Sequence, residues 1–466
     1  MPLRTELFPS PMLRAAIVAP DTRLRRVLVE VADLGVFEPD PPLTSEAGPV
    51  ADLVTQFVPV ETDLAAVIAV DPVVPAELAA AGQFELLLGE ATIEQHSASG
   101  ARTGRCTVIP GWMPADRIDL ARATVEPYGG SIATLPGRRD LIPPTTHPDS
   151  AVGTAFRPLV TTYTTIPYRD LDPTLFAALA YMLMFGMMFG DVAHGLAIVG
   201  VGLLASFRTG ARLQRLRGAA PFLIGAGLAA TGFGLLYGEA FGPTGLVPTL
   251  WIRPLDDPER LLVVGLVIGG VLLALTLTAA TVNRWRERGP TGAIYDPAGL
   301  AGLLLLAGLA GLVAGVTTSV ASLQFVGATV MVLGALLTFI GLMAHTSSGP
   351  AGLAEAVVEM FDTLLRLGSN VVSFTRLAAF GLTHAVISEV VWHGTVNLWD
   401  RSTLITAVAA AALFSLGNLA AFTLGALVGA IQALRLEYYE LFSRLFVSQG
   451  RPFQPWHVPA QRLETP

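Results

Sequence analysis

From residue 175 onward the chain carries long apolar runs almost free of charge. About 20 such residues suffice to carry a helix through the ~30 Å hydrocarbon core of a bilayer. Candidate spans are residues 175–190, 194–207, 218–237, 261–281, 297–316, 325–345, 352–397 and 403–447. The first two are short and lie on either side of Asp191, so they read as a tight helical hairpin. Counted together they predict eight crossings. The last two segments are too long for upright spans, because about 45 residues make roughly 65 Å of helix. They must tilt strongly or continue beyond the bilayer. The expected fold class is an α-helical polytopic membrane domain preceded by a small α+β domain.

Composition narrows the function. Only 14% of the 466 residues are charged, against about 25% in an ordinary soluble domain. The net charge of −8 argues against a nucleic-acid partner, which would select a basic excess. A single cysteine, Cys106, excludes an internal disulfide and any multi-cysteine zinc site. All 29 basic residues are arginine. Without lysine a standard phosphate-binding loop cannot be built, and the turn after the first strand, Ala19-Pro20-Asp21, has no glycine. No ATP site, cofactor or metal ligand set is expected on this chain. Met1 to Pro20 show no apolar core behind a basic start, so no signal peptide is expected.

Residues 1–170 have ordinary charge and short periodic runs. The pattern predicts a strand at 13–18, a helix at 22–34 stopped by Gly35, and a strand at 36–37. A second unit follows: strand 105–109, helix 114–128, a Gly129-Gly130 stop and strand 131–135. Two such β-α-β units predict a small α+β domain with helices on one sheet face. Residues 41–100 between them hold broken helical stretches. The membrane domain is expected over 171–450, with a cytoplasmic tail over 451–466.

Loop charge sets the expected orientation. With the N-terminal domain in the cytoplasm, the loops after spans two and four carry Arg208, Arg212, Arg215 and Arg217, then Arg284, Arg286 and Arg288. The loop after span three holds Asp256, Asp257 and Glu259 against Arg253 and Arg260. Arg444 and Arg451 follow the last span back inside. This is the positive-inside pattern, and it predicts a multi-pass protein of the cell membrane with both termini cytoplasmic.

Charges at bilayer depth are costly and usually face a partner or a water-filled path. Span seven contains Glu355, Glu359, Asp362, Arg366, Ser369, Asn370, Ser373, Arg376, Thr383, His384, Ser388 and Glu389. Span eight contains Asn418, Gln432, Arg435, Glu437 and Glu440. Arginine stays charged in any protein environment. Arg376 sits mid-segment, too deep to snorkel. Helical spacing places Ser369, Ser373, Arg376, Phe380, Thr383 and His384 on one stripe, and Gln432 with Arg435 on one face. In the assigned orientation Glu359, Asp362 and Asn370 lie on the cytoplasmic side of Arg376, and His384 and Glu389 on the outer side. That is two polar routes separated by a fixed cation, as in offset proton half-channels. The blander alternatives are an interfacial amphipathic helix for 355–366 and a core histidine for His384. Asp191, His194 and Glu239 follow glycine-rich turns and read as capping or packing residues.

The run Ser369-Asn370-Val371-Val372-Ser373-Phe374-Thr375-Arg376, continued to His384-Ala385, resembles the span-seven signature of the V-type/A-type rotary ATPase membrane subunit, subunit a or I. Ala433-Leu434-Arg435-Leu436-Glu437 with Glu440 resembles the end of that family's last helix. Phe185-Gly186 with Phe189-Gly190-Asp191 and His194-Gly195, and Tyr237-Gly238-Glu239, resemble its earlier spans. Pro110-Gly111-Trp112 resembles its soluble domain.

The resemblance implies a stator subunit without catalytic residues. It would work against a rotating proteolipid ring with intramembrane carboxylates, together with peripheral-stalk and other rotary ATPase subunits that hold the ATP chemistry. Arg376 then matches the principal arginine and Arg435 the second, with Gln432 and His384 beside them. Two departures stand out. The stretch Gly425-Ala426-Leu427-Val428-Gly429 lacks the carboxylate that family members often carry before the second arginine; either Glu389 replaces it or the outer half-channel is more water-filled. Residues 41–100 are too few for the family's long coiled coil. A secondary transporter would predict inverted repeats, of which none is visible; a non-conducting scaffold is the other competing class.

Overall fold

The computed structural model describes residues 8–41, 48–58, 64–137, 141–147, 151–207, 217–346, 349–446 and 449–462. The chain divides into two compact units: residues 1–148, 166–168 and 450–466, and residues 149–165 with 169–449.

The first unit is built on a sheet whose strands run β2-β5-β1-β6, with β4 also paired to β5. β1 (Met12–Pro20) lies antiparallel to β5 (Cys106–Pro114) over its full length and to β6 (Ser131–Thr134) on its other side. Ala15, Ile17 and Ala19 alternate onto one face of β1 and are fully buried. They pack with Val27, Leu28 and Val31 of α1 (Leu24–Leu34). Val125 of α5 (Ile118–Val125) completes that core with Ile109 and Ile132. β2 (Glu38–Pro39) and β4 (Ala101–Thr103) occupy separate stretches of the far edge of β5. Pro110 falls in the gap between them, where no ladder N–H is missed. The strand therefore runs on to Pro114, past the expected 105–109, and the helix begins at Ile118 after a 3-10 turn at Ala115–Arg117. Nine-residue pairing with β1 outweighs the helical pattern over 114–117.

Between the two halves lie α2 (Pro49–Phe57), β3 (Ile68–Ala69), α3 (Pro75–Ala80) and α4 (Phe84–Ala98). Arg25 ties α1 to this region through an ion pair with Glu90 and a 2.8 Å hydrogen bond to the carbonyl of Ala69. His96 of α4 is largely buried against the Trp456 indole, ring centroids 4.3 Å apart, and burial lowers its pKa to about 4.

Residues 450–462 belong to this same unit. β7 (Ala460–Gln461) pairs in parallel with β3. Arg451 meets Glu38 at 2.9 Å, the N–H of Gln454 donates to Glu38 at 2.9 Å, and the N–H of Trp456 donates to the carbonyl of Phe37 at 2.8 Å. The segment expected to be a tail is thus woven into the N-terminal domain.

The second unit is helical. Among the described residues, six helices are long and apolar enough to cross a membrane. The expected first pair, α7 (Thr174–Met188) and α8 (Val192–Phe207), have 15 and 16 residues, only about 23–24 Å each. After the short α6 (Ala151–Thr161) and that pair come α9 (Ala220–Tyr237), α10 (Pro258–Tyr295), α11 (Leu300–Thr317) and α12 (Ala321–His345). Glycines let these helices touch along their backbones. A Cβ on Gly234 of α9 would stand 2.4 Å from the backbone nitrogen of Val192, and one on Gly308 of α11 would stand 2.3 Å from that of Met331.

Arg208, Arg212 and Arg215 lie outside the described residues. Arg284, expected in a loop, instead sits on α10, which continues past the apolar run to a kink at Gly289, φ 76°. It is fully buried, 3.3 Å from Asp296 and 3.4 Å from Glu287. A continued helix is what allows this pairing, because i,i+3 spacing brings Glu287 to the guanidinium. Burial and the neighbouring Glu287 raise the Asp170 carboxyl to about 7, with Arg284 pulling the other way.

The long seventh segment forms two helices, α13 (Pro350–Ser373) and α14 (Thr375–Trp399), broken at Phe374. The Phe374 ring is fully buried against Gly269 of α10, where a Cβ would stand 2.1 Å from Cγ. α15 (Leu404–Leu436) follows, opened by a capping box at Thr403 and Thr406. It passes into a π-helical turn, Glu437–Phe442, and one last turn at Ser443–Leu445.

Candidate functional site

α14 and α15 form a hairpin around residues 400–403, so they run antiparallel. Close approaches set the register. Gly394 faces Leu413, Gly417 faces Val391, and Gly425 faces His384. Continuing eight residues, about 12 Å along both helices, brings Arg376 level with the Gln432–Arg435 turn. Arg376 starts α14 immediately beyond the Phe374 break and is partly buried; Arg435 is exposed. Among the described residues neither guanidinium has a hydrogen-bond or ion-pair partner. Gln432 is partly buried, and its Oε1 accepts no hydrogen bond among the described residues. The flanks are apolar and exposed: Val372 at the end of α13, Val386 and Val390 on α14, Leu424, Leu427 and Ile431 on α15.

The expected cytoplasmic-side residues are distributed unevenly. With its amide oriented to satisfy both neighbours, Asn370 donates to Glu440 at 3.0 Å and accepts from Arg444 at 3.2–3.3 Å. Asp362 pairs with Arg366 at 2.6 Å one turn away on α13. Glu359 is exposed and Ser373 is partly buried. Glu437, on the π-helical turn, is fully buried, and neither carboxylate oxygen has a hydrogen-bond partner among the described residues. Glu440 and Arg444 were not singled out beside Asn370 by the spacing. The signal was a carboxylate at 440 and an arginine at 444, one turn apart on a face that only the fold turns toward α13.

The proposed stripe on span seven splits. Thr383 is exposed while His384 is buried at 4%, because adjacent helical residues point about 100° apart. His384 turns inward to the α7–α8 junction. Its ring lies 4.8 Å from that of Phe189 and 5.6 Å from that of His194, centroid to centroid. Asp191, fully buried, accepts from the N–H of His194 at 2.9 Å and from the N–H of Gly242 at 3.1 Å. The capping role expected for Asp191 is therefore present, and the same residues also meet His384. Glu389 lies one turn beyond Ala385, partly exposed, 3.9 Å from the Nδ1 of His393. Ser388 is fully buried, its hydroxyl without a partner among the described residues.

The structure therefore describes an integral membrane protein in which antiparallel helices offer two unpaired arginines from apolar surroundings, with polar clusters at 370/440/444 and 191/194/384. Residues 97–220 match the V-type ATPase 116kDa subunit family. The A-type ATP synthase subunit I of Aeropyrum pernix is 29% identical over 344 residues, covering 64% of this chain and 49% of that protein. The A-type ATP synthase subunit I of Halobacterium salinarum is 27% identical over 419 residues, covering 74% and 55%. The human V-type proton ATPase 116 kDa subunit a 2 is 33% identical over 108 residues, covering 22% and 13%. Over these stretches the chain is similar to the V-type ATPase 116 kDa subunit family. It spans about half the length of the curated relatives it matches.

Proposed function

We propose that this chain is the ion-translocating stator subunit of a rotary V/A-type ATPase, working against a ring of proteolipid subunits with intramembrane carboxylates. The observation that carries this reading is the pair Arg376 and Arg435, level on two antiparallel helices and unpartnered among the described residues. A buried or lipid-facing guanidinium without a counter-ion is costly, and a ring carboxylate arriving from outside the chain supplies one. Attraction between the two is strong at low dielectric. It drives the proton off the carboxylate and bars a direct leak between half-channels.

In this reading Asn370, Glu440 and Arg444, with Glu359, Asp362 and Ser373, serve the cytoplasmic route. Glu389 and Gln432 serve the outer route and the site beside Arg435, while His384 is buried against Phe189 and His194. The α7–α8 hairpin supplies two further crossings, for eight in all. Because residues 450–462 rejoin the unit formed by the N-terminal residues, the number of crossings between them must be even. The proposal places that unit in the cytoplasm of a cell-membrane protein, where peripheral-stalk subunits would bind.

The test is Arg376→Ala in the assembled complex. ATP-driven proton uptake should fall to background while assembly and uncoupled ATP hydrolysis persist. Undiminished pumping would reject the role, and a non-conducting scaffold would be the reading left.

A further inference from the structure

Asp191, His194 and His384 each offer a ligand atom, and these atoms all lie within 4.8 Å of one another. The three side chains are nearly sealed, at 0%, 2% and 4% exposure. None of the four imidazole nitrogens has a hydrogen-bond partner among the described residues. The closest approach to a charge is His194 Nδ1 to Asp191 Oδ1, 3.7 Å. Phe189, Phe241 and Phe422 wall the cluster, ring centroids 5.4–5.8 Å from that of His194. Buried polar atoms without partners are costly and call for an occupant.

We propose that this cluster binds a divalent transition-metal ion of the zinc type, with His194, His384 and Asp191 as its protein ligands. Two imidazoles and one carboxylate are the donor set of zinc and its neighbours, whereas magnesium and calcium take oxygen. Donors around a tetrahedral zinc stand about 3.3 Å apart, so the side chains close by about 1 Å or more on binding. Asp191 is held for the task by the N–H groups of His194 and Gly242. Ser388, one turn beyond His384, lies against Gly242 and brings to the same corner a hydroxyl without a partner among the described residues. Glu239, buried at 6%, is joined to Val192 through its backbone carbonyl and so holds the start of α8. The ion would clamp α14 to the start of α8. This inference does not depend on the rotary reading, since it is read out by binding.

The probe is cobalt(II), added to the full chain in lipid nanodiscs. One equivalent should produce the intense visible bands of a four- or five-coordinate site, and one equivalent of zinc should abolish them. Loss of the bands in His194→Asn and His384→Asn, with retention in His393→Ala, supports the proposal. His194→Cys covers the case in which the asparagine variants fail to fold. It should keep cobalt and add a thiolate charge-transfer band near the ultraviolet edge. Absence of the visible bands in the wild type, bands unchanged in the asparagine variants, or no thiolate band in folded His194→Cys would each overturn it.

Discussion

Gly425 presses its backbone against the ring of His384: a Cβ at that position would stand 2.7 Å from Nδ1. The contact sets the depth at which α15 meets α14. It also explains why position 425 carries a glycine. The helix needs that space for an imidazole.

Filling the space should be damaging. Gly425→Leu must displace the ring or part the helices, and overpacking of this kind costs about 1–3 kcal/mol. Proton pumping by the assembled complex is expected to drop by about tenfold or more, with a lower unfolding temperature. Gly270→Ala, where a Cβ meets nothing within 4 Å, should leave both unchanged and serves as the control.

Arg376→Lys tests whether charge alone suffices. Lysine keeps a cation but loses the planar fork, and it can release its proton when desolvated. Pumping is expected to fall by about tenfold or more, with the loss deepening as pH rises. Transport equal to wild type at every pH would show that any cation serves there.

The first unit should weaken in acid through His96. Its folded pKa of about 4 lies below the ordinary 6.5 because burial disfavours the charged form. The folded state therefore binds fewer protons than the unfolded state. Stability is intact above pH 6.5, falls as pH drops from there toward 4, and levels off below. The loss approaches about 3 kcal/mol. His96→Phe keeps a ring against Trp456 and removes the titration, so its unfolding temperature should be flatter over that window.

Asp170 works in the opposite direction. Its carboxyl, raised by burial to about 7 from an ordinary 3.8, holds its proton more tightly when folded. Stability is greatest below pH 3.8, declines as pH rises through the window to 7, and is constant above. The decline is on the order of 2–4 kcal/mol. Asp170→Asn should abolish most of that slope in thermal unfolding between pH 5 and 8. An unchanged slope would place the titration elsewhere.

Much of this was legible because hydropathy is a local property. The apolar runs marked most helix ends from Thr174 to Leu445 to within a few residues, except that α10 runs on to Tyr295, well past the expected 281. What spacing could not show is which faces meet. Thr383 and His384 are neighbours in sequence, yet one looks outward and the other reaches Asp191 and His194, because α14 packs on the α7–α8 junction. Asn370 found Glu440 and Arg444 for the same reason. Arg284 was read as a loop charge because arginine ends an apolar run; the continued helix gave it Glu287 and Asp296 instead. Pro114 looked like a helix start until nine residues of pairing with β1 claimed it for a strand.

The strand at Ala460–Gln461 lies beyond every candidate span, yet its partner at Ile68–Ala69 precedes them all. A ribosome therefore delivers one half of this small sheet long before the other. The soluble unit stays open at that edge while the helices are threaded into the bilayer. A chain that skips one insertion delivers its strand to the wrong side of the membrane, and β3 stays unpaired. Closure of the sheet thus requires residues 68–69 and 460–461 to stand on the same side of the membrane.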